Sequence, residues 1–266
     1  MIQTKLNEEF INVNGLNLQV FSGGSGKSIV VLHGINGTDG SSSYLEALAE
    51  EYRVTAPSQP GFGKSELPLA FDCMDDVVYT YLDLFEQLKL ENIHLVGISV
   101  GGWIASEIAI RSCERLASLT LIDALGIKVS DMLTADIKDF LAVPIDESIR
   151  LLYGNRDFAA EQIKSVDELT DELLLGVITN YQSLTQVAWK PFLHNPKLKS
   201  RLHRISVPTQ VLWGEGDQIT SVSYGKVYAD SIPNAKFEII PGAGHIPHLE
   251  QSQDLVEKLK AFINQN

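Results

Sequence analysis

Short runs of apolar, largely β-branched residues recur along this chain, and segments with helical spacing fall between them. SIVVLHG (28–34), YRVTAPS (52–58), NIHLVGIS (92–99) and LASLTLIDAL (116–125) are all of strand length. They read as buried strands of a sheet covered on both faces. Val77, Val78, Tyr81, Phe85 and Leu88 keep a helical period over residues 75–90. VGGWIASEIAIRSCERL (100–116) is apolar on most sides, as a deeply packed helix is. Strands alternating with helices specify a doubly wound α/β fold built on a mostly parallel sheet.

The rhythm is modified at the start of the chain and interrupted past the middle. Residues 8–21 alternate apolar and polar on both sides of Asn14-Gly15, the signal of an antiparallel hairpin. From about Gly126 to Leu202 no strong strand run occurs. Leu133, Ile137, Phe140 and Leu141 suit one helix there, and Leu169, Leu173, Leu174 and Val177 suit another. After Pro208 the alternation returns, with a strand at 209–217, a helix at about 221–231 and a strand at 236–242. A last amphipathic helix carries Leu255, Val256, Leu259, Phe262 and Ile263. The expected organisation is one core from residues 1–125 and 203–266, with a helical cap inserted at 126–202. Ligands of open α/β sheets bind at the carboxyl ends of the strands, so the insert is expected there, as a lid over a pocket.

Bulk properties narrow the function. The formal net charge of -13 disfavours nucleic acid and anionic membranes, which need a basic face. Cys73 and Cys113 are the two cysteines. Their isolation fits a reducing compartment and no disulfide framework. The N-terminus MIQTKLNEEF has no apolar signal-peptide core, and no window approaches the ~18 apolar residues of a membrane span. A cytoplasmic protein acting on a small molecule is expected, and nothing specifies an oligomeric state. SGGSGKS (22–28) resembles a phosphate-binding loop, but Phe21 stands where that motif needs its first glycine and a strand follows where it needs a helix. No cofactor and no metal site is implied.

Gly97-Ile98-Ser99-Val100-Gly101 places a serine between glycines where a buried strand gives way to a helix. A sharp strand-to-helix turn there presents the hydroxyl above the sheet as a nucleophile. A serine hydroxyl needs a base. Of the six histidines, His245 lies in the glycine-rich turn PGAGH after a strand and before the final helix, on the same sheet edge. His94 sits within the strand that leads to Ser99. His248 is expected to face outward from the last helix. The base needs a carboxylate to fix its tautomer. Asp217, closing VLWGEGD at a strand's end, fits best, with Asp123 in LIDALG as a rival and Glu215 as a solvated loop acid. The oxyanion needs two N–H donors. Val100 follows the nucleophile, and Ile35 stands in HGINGTDG (33–40) after the first buried strand.

At this point the chain resembles the α/β-hydrolase family over nearly its whole length. LHG at 32–34, PGFGKS at 60–65, GISVGG at 97–102, GEGD at 214–217 and GAGHIPHLE at 242–250 stand in family order. The resemblance implies an eight-stranded sheet with a helical cap after the sixth strand. It also implies Ser99, Asp217 and His245 as the catalytic triad, and Ile35 and Val100 as the oxyanion hole. A serine nucleophile speaks against epoxide hydrolases and haloalkane dehalogenases, which use aspartate. Carbon–carbon hydrolases of ring-cleavage products often carry tryptophan after the histidine, where this chain has Ile246. Hydrolysis of a small ester or lactone is therefore the leading expectation, ahead of carbon–carbon cleavage and of a hydrolase-like ligand receptor. Asn36, Ile246 and Trp189 are candidate substrate contacts. Phe140, Tyr153, Tyr181, Trp189 and Phe192 are expected in the cap, as its core or as pocket wall.

Overall fold

The computed structural model describes residues 6–38, 40–131, 133–155 and 170–266. Its centre is an eight-stranded sheet in the order β1-β2-β4-β3-β5-β6-β7-β8. β1 (Asn7–Val13) and β2 (Leu16–Gly23) form the expected hairpin. Asn14 and Gly15 both take positive φ, 50° and 93°, as a tight two-residue turn of this hand requires. β2 pairs antiparallel with β4 (Arg53–Pro57). β3 (Ser28–Leu32), β5 (Ile93–Ile98), β6 (Leu116–Ile122), β7 (Thr209–Gly214) and β8 (Lys236–Ile240) complete a parallel array with β4.

Side-chain alternation on the central strands divides the core in two. Val30, Leu32, Ile93 and Leu95 face one way, with α2 (Met74–Gln87), α3 (Val100–Arg111) and α6 (Val222–Asp230) packed on that side. Ile29, Val31, Val96 and Ile98 face the other way. There they meet α1 (Ser43–Ala49) and α8 (Ser252–Gln265), through Leu45, Leu48, Leu255, Leu259 and Ile263. Each central strand thus buries both faces, which is why these segments read as continuous apolar runs. Residues 24–27 link β2 to β3, so the glycine-rich stretch 22–28 runs from one strand into another. Among the described residues, no helix is long and apolar enough to cross a membrane.

Between β6 and β7 the described residues form α4 (Ile145–Leu151), α5 (Asp171–Ala188) and a 3-10 turn at Lys199–Arg204. Leu174 and Val177 lie on α5, as expected, whereas Leu169 lies outside the described residues. The helix expected around Leu133–Leu141 does not form, and residues 133–142 run as turns and bends. Carboxylates there bond the backbone locally, and Asp139 takes N–H groups that a helix running through Leu141 would direct to the carbonyls four residues back. Asp131 Oδ1 accepts from the N–H groups of Leu133 and Thr134, and Asp139 Oδ1 from those of Leu141 and Ala142. This is local competition with helix formation. Ile137 and Phe140 are buried all the same. α3 also ends at Arg111, short of the expected 116, because Ser112 turns extended ahead of β6.

The order β4-β3-β5 has a consequence for function. The chain leaves β3 outward to β4, then crosses back to begin β5 on the other side. The carboxyl ends of β3 and β5 therefore border the crevice where successive connections diverge, the favoured ligand site of such sheets.

Candidate active site

Ser99 sits at that crevice, between the end of β5 and the start of α3. Its φ is 54° and its ψ is -118°, a left-handed strained conformation for a residue with a side chain. The neighbouring backbone explains why the flanking residues are glycines. A Cβ on Gly101 would overlap the carbonyl oxygen of Leu32, and one on Gly97 would overlap the carbonyl oxygen of Gly101. Both obstacles are main chain and cannot rotate away. Gly101→Ala is expected to destabilise the fold by about 1–3 kcal/mol, as overpacking does. Gly176→Ala, on an open face of α5 with nothing within 4 Å, is expected to gain about 0.5–1 kcal/mol. Chemical denaturation midpoints of the two variants check this, and equal midpoints would refute it.

His245 approaches Ser99 from the loop between β8 and α7 (Pro247–Glu250). Its Nε2 lies 2.7 Å from Ser99 Oγ, and its Nδ1 lies 2.8 Å from Asp217 Oδ2. A carboxylate can only accept, so Nδ1–H donates to Asp217 and Nε2 accepts the serine hydroxyl. Asp217 also accepts from the N–H groups of Ile219 and Thr220 at Oδ1 and from Thr220 Oγ1 at Oδ2. Burial works to raise the Asp217 carboxyl. The charge and bond of His245 and the Thr220 N–H outweigh it and hold the carboxyl below its usual range. The serine, histidine and aspartate expected from sequence are thus brought into one hydrogen-bonded line. Glu215 instead accepts from the Gly242 N–H.

The loop after β3 comes against the same serine. A Cβ on Gly34 would stand 3.1 Å from Ser99 Cβ, so glycine permits the approach. Val100 opens α3, where the first-turn N–H groups have no partner within the helix. Ile35 is buried at 3 % exposure and Asn36 is exposed.

Several positioning groups were not singled out by sequence reasoning. His33 donates from Nδ1 to the Gly34 carbonyl at 2.7 Å and accepts the Gln59 N–H at Nε2 at 2.8 Å, fixing the loop that carries Ile35. Burial pushes the His33 imidazole down to about 4, so it stays neutral. Asn180 on α5 donates to the Ile35 carbonyl at 3.1 Å. Glu250 accepts from the N–H groups of Gly154, Asn155 and Gly244, which ties the segment after α4 to the His245 loop. The His245 N–H itself donates to the Leu152 carbonyl at 2.8 Å. Glu250 closes the GAGHIPHLE stretch, which was legible as a motif though not for this role.

Other expected residues lie elsewhere. His94 is buried in β5 and bonds Ser118 Oγ. His248 does not face outward: it is buried in the four-residue α7, edge-on to Tyr44 at 5.3 Å between ring centroids. Gln251 breaks α7 from α8, and this turns His248 inward. Phe140 meets Tyr181 at 6.1 Å, and Tyr181 bonds Ser148, so these aromatics pack with one another. Trp189 is 61 % exposed against Phe192. Ile246 is buried beside His245. Asp72, Cys73 and Asp76 cluster at the start of α2, where Asp76 caps the helix by accepting from the N–H groups of residues 72 and 73.

Comparison with known proteins places the chain among hydrolases of this fold. The chain is 28% identical over 284 residues to a 2-hydroxy-6-oxononadienedioate/2-hydroxy-6-oxononatrienedioate hydrolase of Paraburkholderia phymatum, covering 97% of this chain and 96% of that protein. It is 24% identical to Lipase 1 of Psychrobacter immobilis, over 90% of this chain and 77% of that one. Among solved structures, the 2-hydroxy-6-oxo-6-phenylhexa-2,4-dienoate hydrolase from Rhodococcus sp. strain RHA1 superposes with a TM-score of 0.80 at 20% identity, over 98% of this chain and 99% of that one. Residues 29–258 match the model of the Alpha/beta hydrolase family, and the chain belongs to that family.

Proposed function

We propose that the protein is a serine hydrolase that cleaves a small carboxylic ester or lactone through an acyl-enzyme on Ser99. The observation that carries this is the continuous line from Ser99 Oγ to His245 Nε2 at 2.7 Å and from His245 Nδ1 to Asp217 Oδ2 at 2.8 Å. His245 Nε2 takes the serine proton as Oγ attacks the substrate carbonyl. The Ile35 and Val100 N–H groups hold the oxyanion, each stabilising the transition state by about 3 kcal/mol. Nε2–H then protonates the leaving oxygen, and water repeats the sequence on the acyl-enzyme. Residues 126–202 act as the cap over a core of 1–125 and 203–266. The bonds from Asn180 to Ile35 and from the His245 N–H to Leu152 support this, because they join that segment to the reacting groups. Asn36, Ile246 and Trp189 are the proposed substrate contacts. The free thiols of Cys73 and Cys113 fit a cytoplasmic location.

A second reading keeps the machinery and changes the bond, to carbon–carbon hydrolysis of a ring-cleavage diketone. The likeness to the Paraburkholderia hydrolase favours it, whereas Ile246 after the histidine favours the ester. Fluorophosphonate labelling followed by intact mass tests the shared machinery. One adduct is expected on wild type, none on Ser99→Ala and much slower reaction on His245→Ala. Labelling that persists on Ser99→Ala refutes the assignment. Rates on an acyl-ester and lactone panel against a ring-cleavage product then decide the bond, and activity is expected to fall on the acid side as imidazole protonates.

A further inference from the structure

Asp123, at the carboxyl end of β6, is fully buried and takes no part in the proton transfers above. Its backbone is left-handed, with φ at 44°. This conformation is uncommon outside glycine, though aspartate tolerates it better than most residues. It turns the carboxyl inward, across the end of β7. Oδ1 accepts the Gly214 N–H at 2.9 Å, three residues before Asp217. Oδ2 is buried and, among the described residues, finds no donor. One ligand atom each of Asp123, Asp217 and His245 lie within 4.8 Å of one another. Two carboxylates this close offer only acceptors, so a hydrogen bond between them requires a proton on one.

We propose that Asp123 is a positioning residue of this site: its carboxylic O–H donates to the Asp217 carboxylate, and its other oxygen anchors to β7 through Gly214. Asp217 is thereby braced from behind while it holds His245. This rests on the Ser99–His245–Asp217 reading and adds a fourth member to it. The electrostatics agree. Burial, and then the Asp217 charge, push the Asp123 carboxyl well above the usual carboxylate range, while Asp217 goes down. A pair of acids driven apart in this way divides into one donor and one anion. Among the described residues, the titratable groups that act on the pair or on His245 include Glu250 of α7 toward Asp123, Tyr224 of α6 toward Asp217 and His248 of α7 toward His245, with His33 of the loop after β3 acting in turn on His248. Glu250, like Asp217, favours a neutral Asp123.

The test uses purified full-length protein carrying Asp123→Ala, Asp123→Asn or Asp217→Asn, with fluorophosphonate labelling rates, ester kcat and KM across pH, and infrared difference spectra. Asp123→Ala is expected to lower kcat and labelling about 10–100-fold with KM little changed, the scale of a misplaced catalytic group. Asp123→Asn is expected to restore most of that loss, because its amide N–H donates to Asp217 and its oxygen still accepts from Gly214. The acid limb of its pH profile is expected to stay in place, since a neutral group replaces a neutral group. A protonated-carboxyl C=O stretch is expected in wild type at neutral pH and absent from Asp123→Asn. If Asp123 were ionised, Asp123→Asn would remove a negative charge beside the imidazole and move the acid limb down by about one pH unit. That shift, a missing carboxyl band in wild type, an Asp123→Asn as slow as Asp123→Ala, or an unimpaired Asp123→Ala each overturns the proposal. Asp217→Asn separates the two readings. Full activity in that variant removes the triad assignment and this proposal together. A loss of about 10⁴-fold keeps the triad, and the Asp123 variants then decide the role of Asp123. Thermal unfolding identifies any variant that fails to fold, and Asp123→Asn, nearly isosteric, keeps the test decisive.

Discussion

Ser99→Ala and His245→Ala are each expected to lower kcat by about a million-fold, and the double variant is expected to be no slower than either alone. The reason is mechanical. Ser99 Oγ is a useful nucleophile only while His245 Nε2, 2.7 Å away, can take its proton. Once either partner is gone, the other has nothing left to do. Independent contributions would multiply to about 10¹², whereas a single unit loses its function once. Asp217→Asn is expected to cost less, about 10⁴-fold, because the imidazole persists but loses the acceptor that orders its Nδ1–H. What survives in the double variant is expected to report the N–H groups proposed at Ile35 and Val100 and the fit of the substrate. Steady-state kinetics on the best ester of a panel check this. A double variant that falls well below both singles would mean that the two side chains act separately, and the proton-transfer line would be wrong.

The parts of this site that were legible in sequence share a property. Ser99 and Asp217 follow the buried strands β5 and β7 and His245 follows the edge strand β8, each in or beside a glycine-bearing turn. A parallel sheet places all such turns on one edge, whatever lies between them in the chain. Strand order did not have to be known. The groups that were not legible act through partners distant in sequence. Asn180 reaches Ile35 because α5 lies over it; Asp123 was legible only as a rival acid, and its bond to Gly214 arises because β6 and β7 are neighbours, an adjacency that local spacing does not write. The misassigned helix near Leu133–Leu141 shows a different limit. Its apolar period is genuine and Ile137 and Phe140 are buried, but Asp131 and Asp139 satisfy the backbone locally, and apolar period alone does not count such bonds. α1 was the reverse case. Tyr44, Leu45, Leu48 and Ala49 carry a readable helical period that is only two turns long and easily passed over.

Acid is expected to unfold this protein through its buried histidines. Burial pushes the His33 imidazole down to about 4, despite the bond to the Gly34 carbonyl that favours its charged form. Burial, followed by the nearby His245 and His33, pushes the His248 imidazole down to about 3. In the unfolded chain both titrate near 6.5. The sign follows from proton counts. Above about pH 6.5 neither state binds the proton and the contribution is complete. Between that point and the folded values, the unfolded chain binds protons that the native state excludes, so stability falls as pH falls. Each histidine then costs nearly tenfold in the folding equilibrium per pH unit, and the pair amounts to roughly 5 kcal/mol by pH 4.5. That is comparable with the whole stability of many domains. Asp136, held at about 2 although burial opposes it, chiefly by Lys128 and Ser130, adds to the loss only at lower pH. His248 isolates the effect. Its Nδ1 is buried without a partner among the described residues, and its ring packs edge-on to Tyr44. His248→Phe keeps that aromatic contact and deletes the proton site. Urea midpoints at pH 7.5, 6 and 4.5 are expected to drop steeply for wild type and distinctly less for His248→Phe. Parallel slopes in the two proteins would mean that His248 reaches solvent before the fold opens, and the acid sensitivity would have to be assigned elsewhere.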